Sequence, residues 1–344
     1  MAIVRSYTNN FEVIDRTTEL LSIPNSWNII NQLGIFGATQ GVTTNTVSFE
    51  DIIENTAVMI DQVRGQRNVY TKDAVRKLRS YPIPHYPLDG FISPEQIQGK
   101  TAYGSNDQAD TVAAAVAREL ARIRRAHAGL MEVARAKLLE DGTVYSPSGT
   151  VSVNYYTDFG VTRKEVDFVF GTSTTDIIGK IEEGVAYITD NRFDGTDTIT
   201  GFVAICSPEF FANLIKHPKV QTAYQYYSST QEPLRNRLES GLPKGTREFI
   251  HGGVRFVEYR GLKPDGTRYI PSGECRLVPT GLTEVFSSFA APALKMDLVN
   301  TVGMEAYVFQ YNDSKGNGIS FESEANIIHV CKKPQLIVRL YSST

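Results

Sequence analysis

The strongest alternation of apolar and polar positions runs over residues 105–141, SNDQADTVAAAVARELARIRRAHAGLMEVARAKLLED. Val112, Val116, Leu120, Ile123, His127, Leu130, Ala134 and Leu138 recur at spacings of three and four, which is one face of a helix. Proline is absent, Gly129 is the single glycine, and Ala, Leu, Arg, Glu and Lys dominate, the strongest helix formers. Ser105 with Gln108 makes a capping-box start, and Gly142 supplies a stop. At about 1.5 Å per residue, such a helix would be roughly 50 Å long and span most of a domain.

Upstream, residues 1–25 are polar and aperiodic, an arm tied down by something else or by nothing. Residues 25–40 form a short apolar anchor holding the only tryptophan, Trp27. Over residues 42–92 the runs VTTNTVSFE and TAVMIDQV are β-type, joined by DIIEN and broken by RGQRN. A basic return over 70–80 follows, then YPIPHYPLDGF, where Pro82, Pro84 and Pro87 exclude a central strand or a helix. The whole predicts a hairpin-like excursion with its tip near residues 64–68. An isolated two-stranded hairpin is marginal in water, so this one packs either on its own domain or on another chain.

Downstream, TVSVNYYTDF and EVDFVF read as short strands. Residues 175–190 predict an amphipathic helix with Ile177, Ile178, Ile181, Val185 and Ile188 on one side. GFVAIC is a buried strand, and Ser207-Pro208-Glu209 opens a helix that stops at Pro218. Residues 221–247 are polar and loop-rich. GVRFVEYRG, TRYIP and ECRLVP are strand runs, the first two separated by a Pro264-Asp265-Gly266 turn. The β and α alternation over 176–297 indicates a compact α/β domain. NGISFESEANIIHV and PQLIVRLY complete the pattern as two strands hinged at Lys332-Lys333-Pro334.

Composition changes this picture little. The 344 residues are 41% hydrophobic and 21% charged, a globular balance sufficient for about two domains. A net charge of -3 argues against a nucleic-acid polycation. No apolar signal region and no membrane-length apolar run are visible, so a soluble, cytoplasmically made protein is expected. Cys206, Cys275 and Cys331 lack metal or redox spacing and read as buried, reduced thiols.

Candidate chemistry is sparse. Cys206 lies between a strand and a helix, a position nucleophiles use, yet no base accompanies it in sequence. His85, His127, His217, His251 and His329 show no metal-ligand spacing, and His127 falls on the apolar face of the long helix. His251-Gly252-Gly253 weakly resembles an oxyanion-hole glycine stretch, but without GxSxG a turn is the simpler reading. Asp313, Asn317, Gly318 and Glu324 fit four EF-hand positions, while Lys315 would place an ammonium where the cation belongs. No Walker A or GxGxxG occurs, so neither a catalytic constellation nor a cofactor is indicated. Two basic sets remain: Arg118, Arg122 and Arg125 on the long helix, and Arg64, Arg67, Lys72, Arg76, Lys77 and Arg79 in the excursion. Glu119–Arg122 and Glu132–Arg135 would relieve repulsion along the helix. Either set is a solvated face or a match for acidic groups on a neighbouring copy. Aromatics are not interleaved with them, which argues against nucleic-acid reading.

The order of parts is a polar arm, a long β excursion, one very long helix, a discontinuous β platform and an inserted α/β domain. That order resembles the α+β Hong Kong 97-type capsid fold. TTNTVSFEDIIENTAVMIDQVRGQRN, the long helix, DIIGKIEEGVAYITDNRFDGTDTITGFVAICSPEFFANLIKHPKVQTAY and GISFESEANIIHVCKKPQLIVRLY are similar to the lambda-like phage major capsid proteins, the phage capsid E family. The resemblance implies an N-terminal arm (1–41), an extended loop over an adjacent subunit (42–92), a peripheral domain (93–175 with 298–344) and an axial domain (176–297). It implies hexamers and pentamers of an icosahedral phage head around double-stranded DNA, bound without sequence specificity. Scaffold, protease and portal proteins acting in trans, and sometimes a decoration protein, belong to that implication; a membrane, a cofactor and enzymatic activity do not. No Lys and Asn pair matches the isopeptide crosslink of some relatives. Two rival readings stay open: an encapsulin-like nanocompartment shell, and a soluble α/β enzyme with a site in 176–297 near Cys206 and His251.

Overall fold

The computed structural model describes residues 3–6, 12–23, 29–53, 75–98, 111–192, 198–226, 246–263, 266–282, 284–313 and 316–343. One seven-stranded sheet contains β1 (Ile3–Ser6), β2 (Glu12–Asp15), β3 (Thr39–Gly41), β6 (His85–Ile92), β12 (Phe286–Ala290), β13 (Tyr307–Asn312) and β14 (Ile319–Cys331). A six-stranded sheet contains β7 (Glu165–Asp167), β8 (Gly201–Cys206), β9 (Glu248–His251), β10 (Val254–Glu258), β11 (Glu274–Thr280) and β15 (Val338–Tyr341), in the order β7-β15-β11-β8-β10-β9. The strands β4 (Thr46–Ile53) and β5 (Val75–Pro82) pair only with each other among the described residues. Helices α1 (Thr17–Ser22), α2 (Ile29–Gln32), α3 (Val112–Asp141), α4 (Tyr155–Phe159), α5 (Ile177–Asp190), α6 (Pro208–Lys216) and α7 (Pro218–Tyr226) complete the fold.

The long helix α3 joins the two sheets. The Thr111 side chain accepts a hydrogen bond from Ala114 N and caps the start. The expected Ser105 start is thereby replaced, and Ser105 and Gln108 lie outside the described residues. Gly142, at φ 72°, closes the helix by donating to Leu138 O. In its first half Ala115, Val116, Leu120 and Ile123 pack against Leu20 and the seven-stranded sheet residues Ile92, Val308, Phe321 and Ala325. Val112, expected on this face, is exposed. In its second half burial widens to include Met131, Glu132, Arg135, Ala136 and Leu139, because the helix there enters the main core, shared with the six-stranded sheet. At the end of α3, Glu140 O accepts from both Arg163 (2.7 Å) and Arg276 (3.1 Å). Two guanidinium groups therefore meet the negative pole of the helix dipole.

Local signals decide several other elements. Ser207 caps α6, as its Ser-Pro-Glu start predicts. Gly252 and Gly253 have φ of 56° and 75°, the type I′ geometry that joins β9 to β10. The segment TVSVNYYTDF, expected as a strand, turns into α4 instead. The Asn154 side chain accepts from Tyr156 N and Thr157 N, and this cap outweighs the β-propensity of the valines and tyrosines. TRYIP makes only an isolated bridge, Leu262 to Arg268, and the helix α7 extends to Tyr226 where loop was expected. On α5, Ile178 is exposed and Gly184 takes the buried face; a Cβ there would come within 2.9 Å of Leu277. The proline-rich return forms β6, which among the described residues pairs with β14 alone. It is an edge strand among the described residues, a sheet position that tolerates Pro87. Upstream, β2 pairs with β13, which stitches the polar arm to the platform. Trp27, residues 54–74 and the expected excursion tip lie outside the described residues.

Candidate inter-subunit contact surfaces

The groups that sequence raised as chemical candidates are divided between interior and surface, and the fold separates them. Cys206 is fully buried beside Cys275, and burial pushes its thiol well above the usual range. Along β10, Cys206 faces Glu258 while His251 faces Val254 across the turn. Four residues of strand, roughly 13 Å, thus part thiol from imidazole. The His127 ring bonds Ser323 Oγ at 3.1 Å, and burial lowers its pKa to about 4. His329 lies deeper, Nδ1 against Ser288 Oγ at 2.8 Å, its pKa also depressed by burial. Asp313 accepts from Asn317 N at 3.0 Å, so this carboxylate holds a turn between β13 and β14. Among the described residues no group of three or more His, Cys, Asp or Glu could hold a metal ion.

A buried polar junction is the feature that sequence reading misplaced. Glu132 and Arg135, expected as a surface pair, sit inside and reach elsewhere. Glu132 accepts from Ile30 N (3.2 Å) and bonds the Tyr259 hydroxyl. Arg135 donates to Asn31 Oδ1 (2.5 Å), reaches Ser288 Oγ and lies over the Phe36 ring. Segment 29–36, α3 and both sheets meet there. Burial lifts the Glu132 carboxyl to about 7, outweighing the hydrogen bonds from Ile30 and Tyr259 and the Arg135 charge that lower it. A carboxyl with a raised folded pKa binds its proton more tightly when folded. Its contribution is therefore greatest at low pH, falls as pH rises from the unfolded value of 4.5 to about 7, and is constant above. Glu132→Gln is expected to remove that fall, worth at most about 3 kcal/mol. Urea midpoints of both proteins at pH 5 and pH 8 check it; an unchanged pH dependence in the variant would refute the assignment.

The outer surface has three features suited to association. On α3, Arg118, Arg122 and Arg125 are exposed; Arg122 pairs with Glu119 at 2.5 Å, as its spacing predicts, and Arg125 bonds Ala121 O. The second is the β4–β5 ladder. Tyr81 packs against Phe49 and Tyr155, and Arg79 donates to Asp158 O at 2.5 Å while covering the Phe159 ring. The base of the ladder is thus fixed to the body. Lys77 is exposed and the neighbouring Leu78 is 73% exposed. Arg64, Arg67, Lys72 and the side chain of Arg76 lie outside the described residues. The third, not anticipated from sequence, is the connection from β12 to β13. Leu294 and Met296 are 80% and 90% exposed, and Val299 and Val302 more than half. Its backbone is nonetheless anchored: Leu294 N donates to Glu324 Oε1, Met304 N to the Tyr307 hydroxyl and Gly303 N to Val42 O. Leu294, Met296, Val299 and Val302 thus stand exposed on a loop whose backbone is held, a candidate association surface by its chemistry.

The fold is the Hong Kong 97-type fold of phage capsid subunits. The bacteriophage PhiM1 mature capsid matches with a TM-score of 0.55 at 13% identity, covering 92% of this chain and 88% of that one. The capsid of cyanophage P-SCSP1u matches with a TM-score of 0.55 at 10% identity, over 99% and 93%. Those identities speak for the fold; the family follows from sequence. Residues 17–342 match the phage major capsid protein E profile, and the chain belongs to that family. The major capsid protein of Pseudomonas phage KPP10 is 41% identical over 347 aligned positions, 98% of each chain. That of Salmonella phage Felix O1 is 29% identical over 98% of this chain and 97% of its own. The protein is thus a structural component of the virion, a major capsid protein of tailed-phage heads that assembles with copies of itself, and the enzyme reading falls.

Proposed function

We propose that this chain builds the hexamers and pentamers of an icosahedral head around double-stranded DNA, with residues 42–92 lying over an adjacent subunit. The observation that carries this reading is the β4–β5 ladder, which pairs with neither sheet among the described residues and is held to the body through Tyr81 and Arg79 at its base. Its exposed Leu78 and its basic residues Arg64, Arg67, Lys72, Arg76 and Lys77 then meet a neighbour, as do Arg118, Arg122 and Arg125 and the apolar 294–304 loop. In this reading residues 1–41 are an arm, 93–175 with 298–344 the peripheral domain, and 176–297 the axial domain at the five- and six-fold axes. Scaffold, protease and portal proteins act in trans, with room for a decoration protein. The net charge of -3 suits a container that holds DNA without adhering to it.

Deletion of residues 55–75 tests the proposal. The shortened chain is expected to stay folded by circular dichroism and to form no particles by electron microscopy. The double substitution Leu294→Asp with Met296→Asp is expected to do the same, since both side chains already face outward. Shells of normal size from either variant would overturn the role given to that surface.

A further inference from the structure

Cys206 and Cys275 face each other across the antiparallel β8–β11 ladder. One step further along, Ser207 N donates to Glu274 O at 3.0 Å, which marks that pair as hydrogen-bonded. Bonded and non-bonded pairs alternate, so Cys206 and Cys275 form a non-bonded pair, with Cα atoms about 4.5 Å apart. A disulfide requires about 4.4–6.8 Å. The two sulfurs are already 3.0 Å from each other, both residues are fully buried, and both are free thiols. Cys331 sits in β14 of the other sheet.

We infer that Cys206 and Cys275 are a redox-modification site, closing to an intrachain disulfide when the particle meets a small-molecule disulfide oxidant. In the first step one protein thiolate attacks the oxidant, breaking its S–S bond and releasing one small thiol. In the second the facing cysteine displaces the other half. One S–S bond forms in the protein, one breaks in the oxidant, and the two protein thiol protons end on two small-molecule thiols. Released virions encounter such oxidants, whereas a reducing cytosol keeps the pair open. Burial keeps the thiolate scarce at neutral pH, so closure is slow and waits on local opening of the sheet. Once closed, the bond ties positions 69 apart and encloses α6, α7, β9 and β10, which restrains the unfolded chain more than the folded one.

The test incubates the purified full-length protein with oxidised glutathione at mildly alkaline pH. A parallel sample contains urea below the unfolding midpoint, to admit the reagent. Samples are quenched in acid, denatured, alkylated, digested and weighed. The expected product is a Cys206–Cys275 peptide pair lighter by two hydrogens, with Cys331 alkylated, and a thermal midpoint raised by several degrees that reductant reverses. The rise should be absent in Cys275→Ala. Alkylation or separate glutathionylation of Cys206 and Cys275 in both samples would overturn the inference, as would preferential pairing of either with Cys331.

Discussion

Arg276→Met is expected to lower the unfolding free energy of unassembled subunits by about 3 kcal/mol, the low end for breaking a buried ionic network. Arg276 is 2% exposed. Its guanidinium pairs with Glu274 at 2.7 Å, donates to Glu140 O at the end of α3 and reaches Cys275 O. Methionine retains much of the volume, so the loss isolates the polar contacts from a cavity. Glu274 keeps Arg339, which limits the damage to its own desolvation. The last turn of α3 keeps Arg163 but loses its tie to β11. Arg276→Lys should recover only part, because an ammonium cannot span the same three acceptors. Guanidinium denaturation gives the answer, and a change under about 0.5 kcal/mol, ordinary for a surface site, would refute the role.

Gly303→Ala is expected to be at least as damaging, for a steric reason. Around Gly303, three stretches of backbone cross: Val42 N donates to Ala290 O, and Gly303 N donates to Val42 O. A Cβ at Gly303 would lie 2.1 Å from Ala290 O, and one at Gly41 would lie 2.3 Å from Gly303 O. Backbone cannot swing aside as a side chain can, so β3 must separate from β12 or the loop must lift. We expect a loss of about 3 kcal/mol, the upper range for overpacking. Gly129→Ala is the contrasting control. It sits inside α3 with nothing within 4 Å of the added methyl, and helix propensity alone should stabilise it by up to ~1 kcal/mol. Equal thermal midpoints for the two variants would show that the crossing is looser than these distances state.

What sequence revealed and what it hid follow one physical distinction. The long helix, the β8–α6 junction and the turn at Gly252-Gly253 were legible because their signals are local: periodicity, a serine cap, two glycines in left-handed conformation. The helical α4 was misread because a single asparagine cap decided against a β-rich composition. Glu132 and Arg135 have the spacing of a surface pair, and only the approach of segment 29–36 and both sheets makes them interior. The strands β12 and β13 carry little local signal, since β12 depends on β14 some forty residues on and β13 takes β2 from the far end of the chain as one of its partners. For the surfaces, basic spacing pointed to α3 and β5, but the apolar loop after β12 became visible only when its backbone anchors showed that it is held outward.

The thirteen-residue strand β14 has β13 and β6 along its first part and β12 along its last, and β15 then lies between β7 and β11 of the other sheet. Both sheets therefore depend on the same stretch of polypeptide, which joins β13 just before it to β6, β12, β7 and β11 from earlier in the chain. A chain truncated before β14 would leave β13, β6 and β12 without their common partner and β7 parted from β11, so one cut would open both sheets at once.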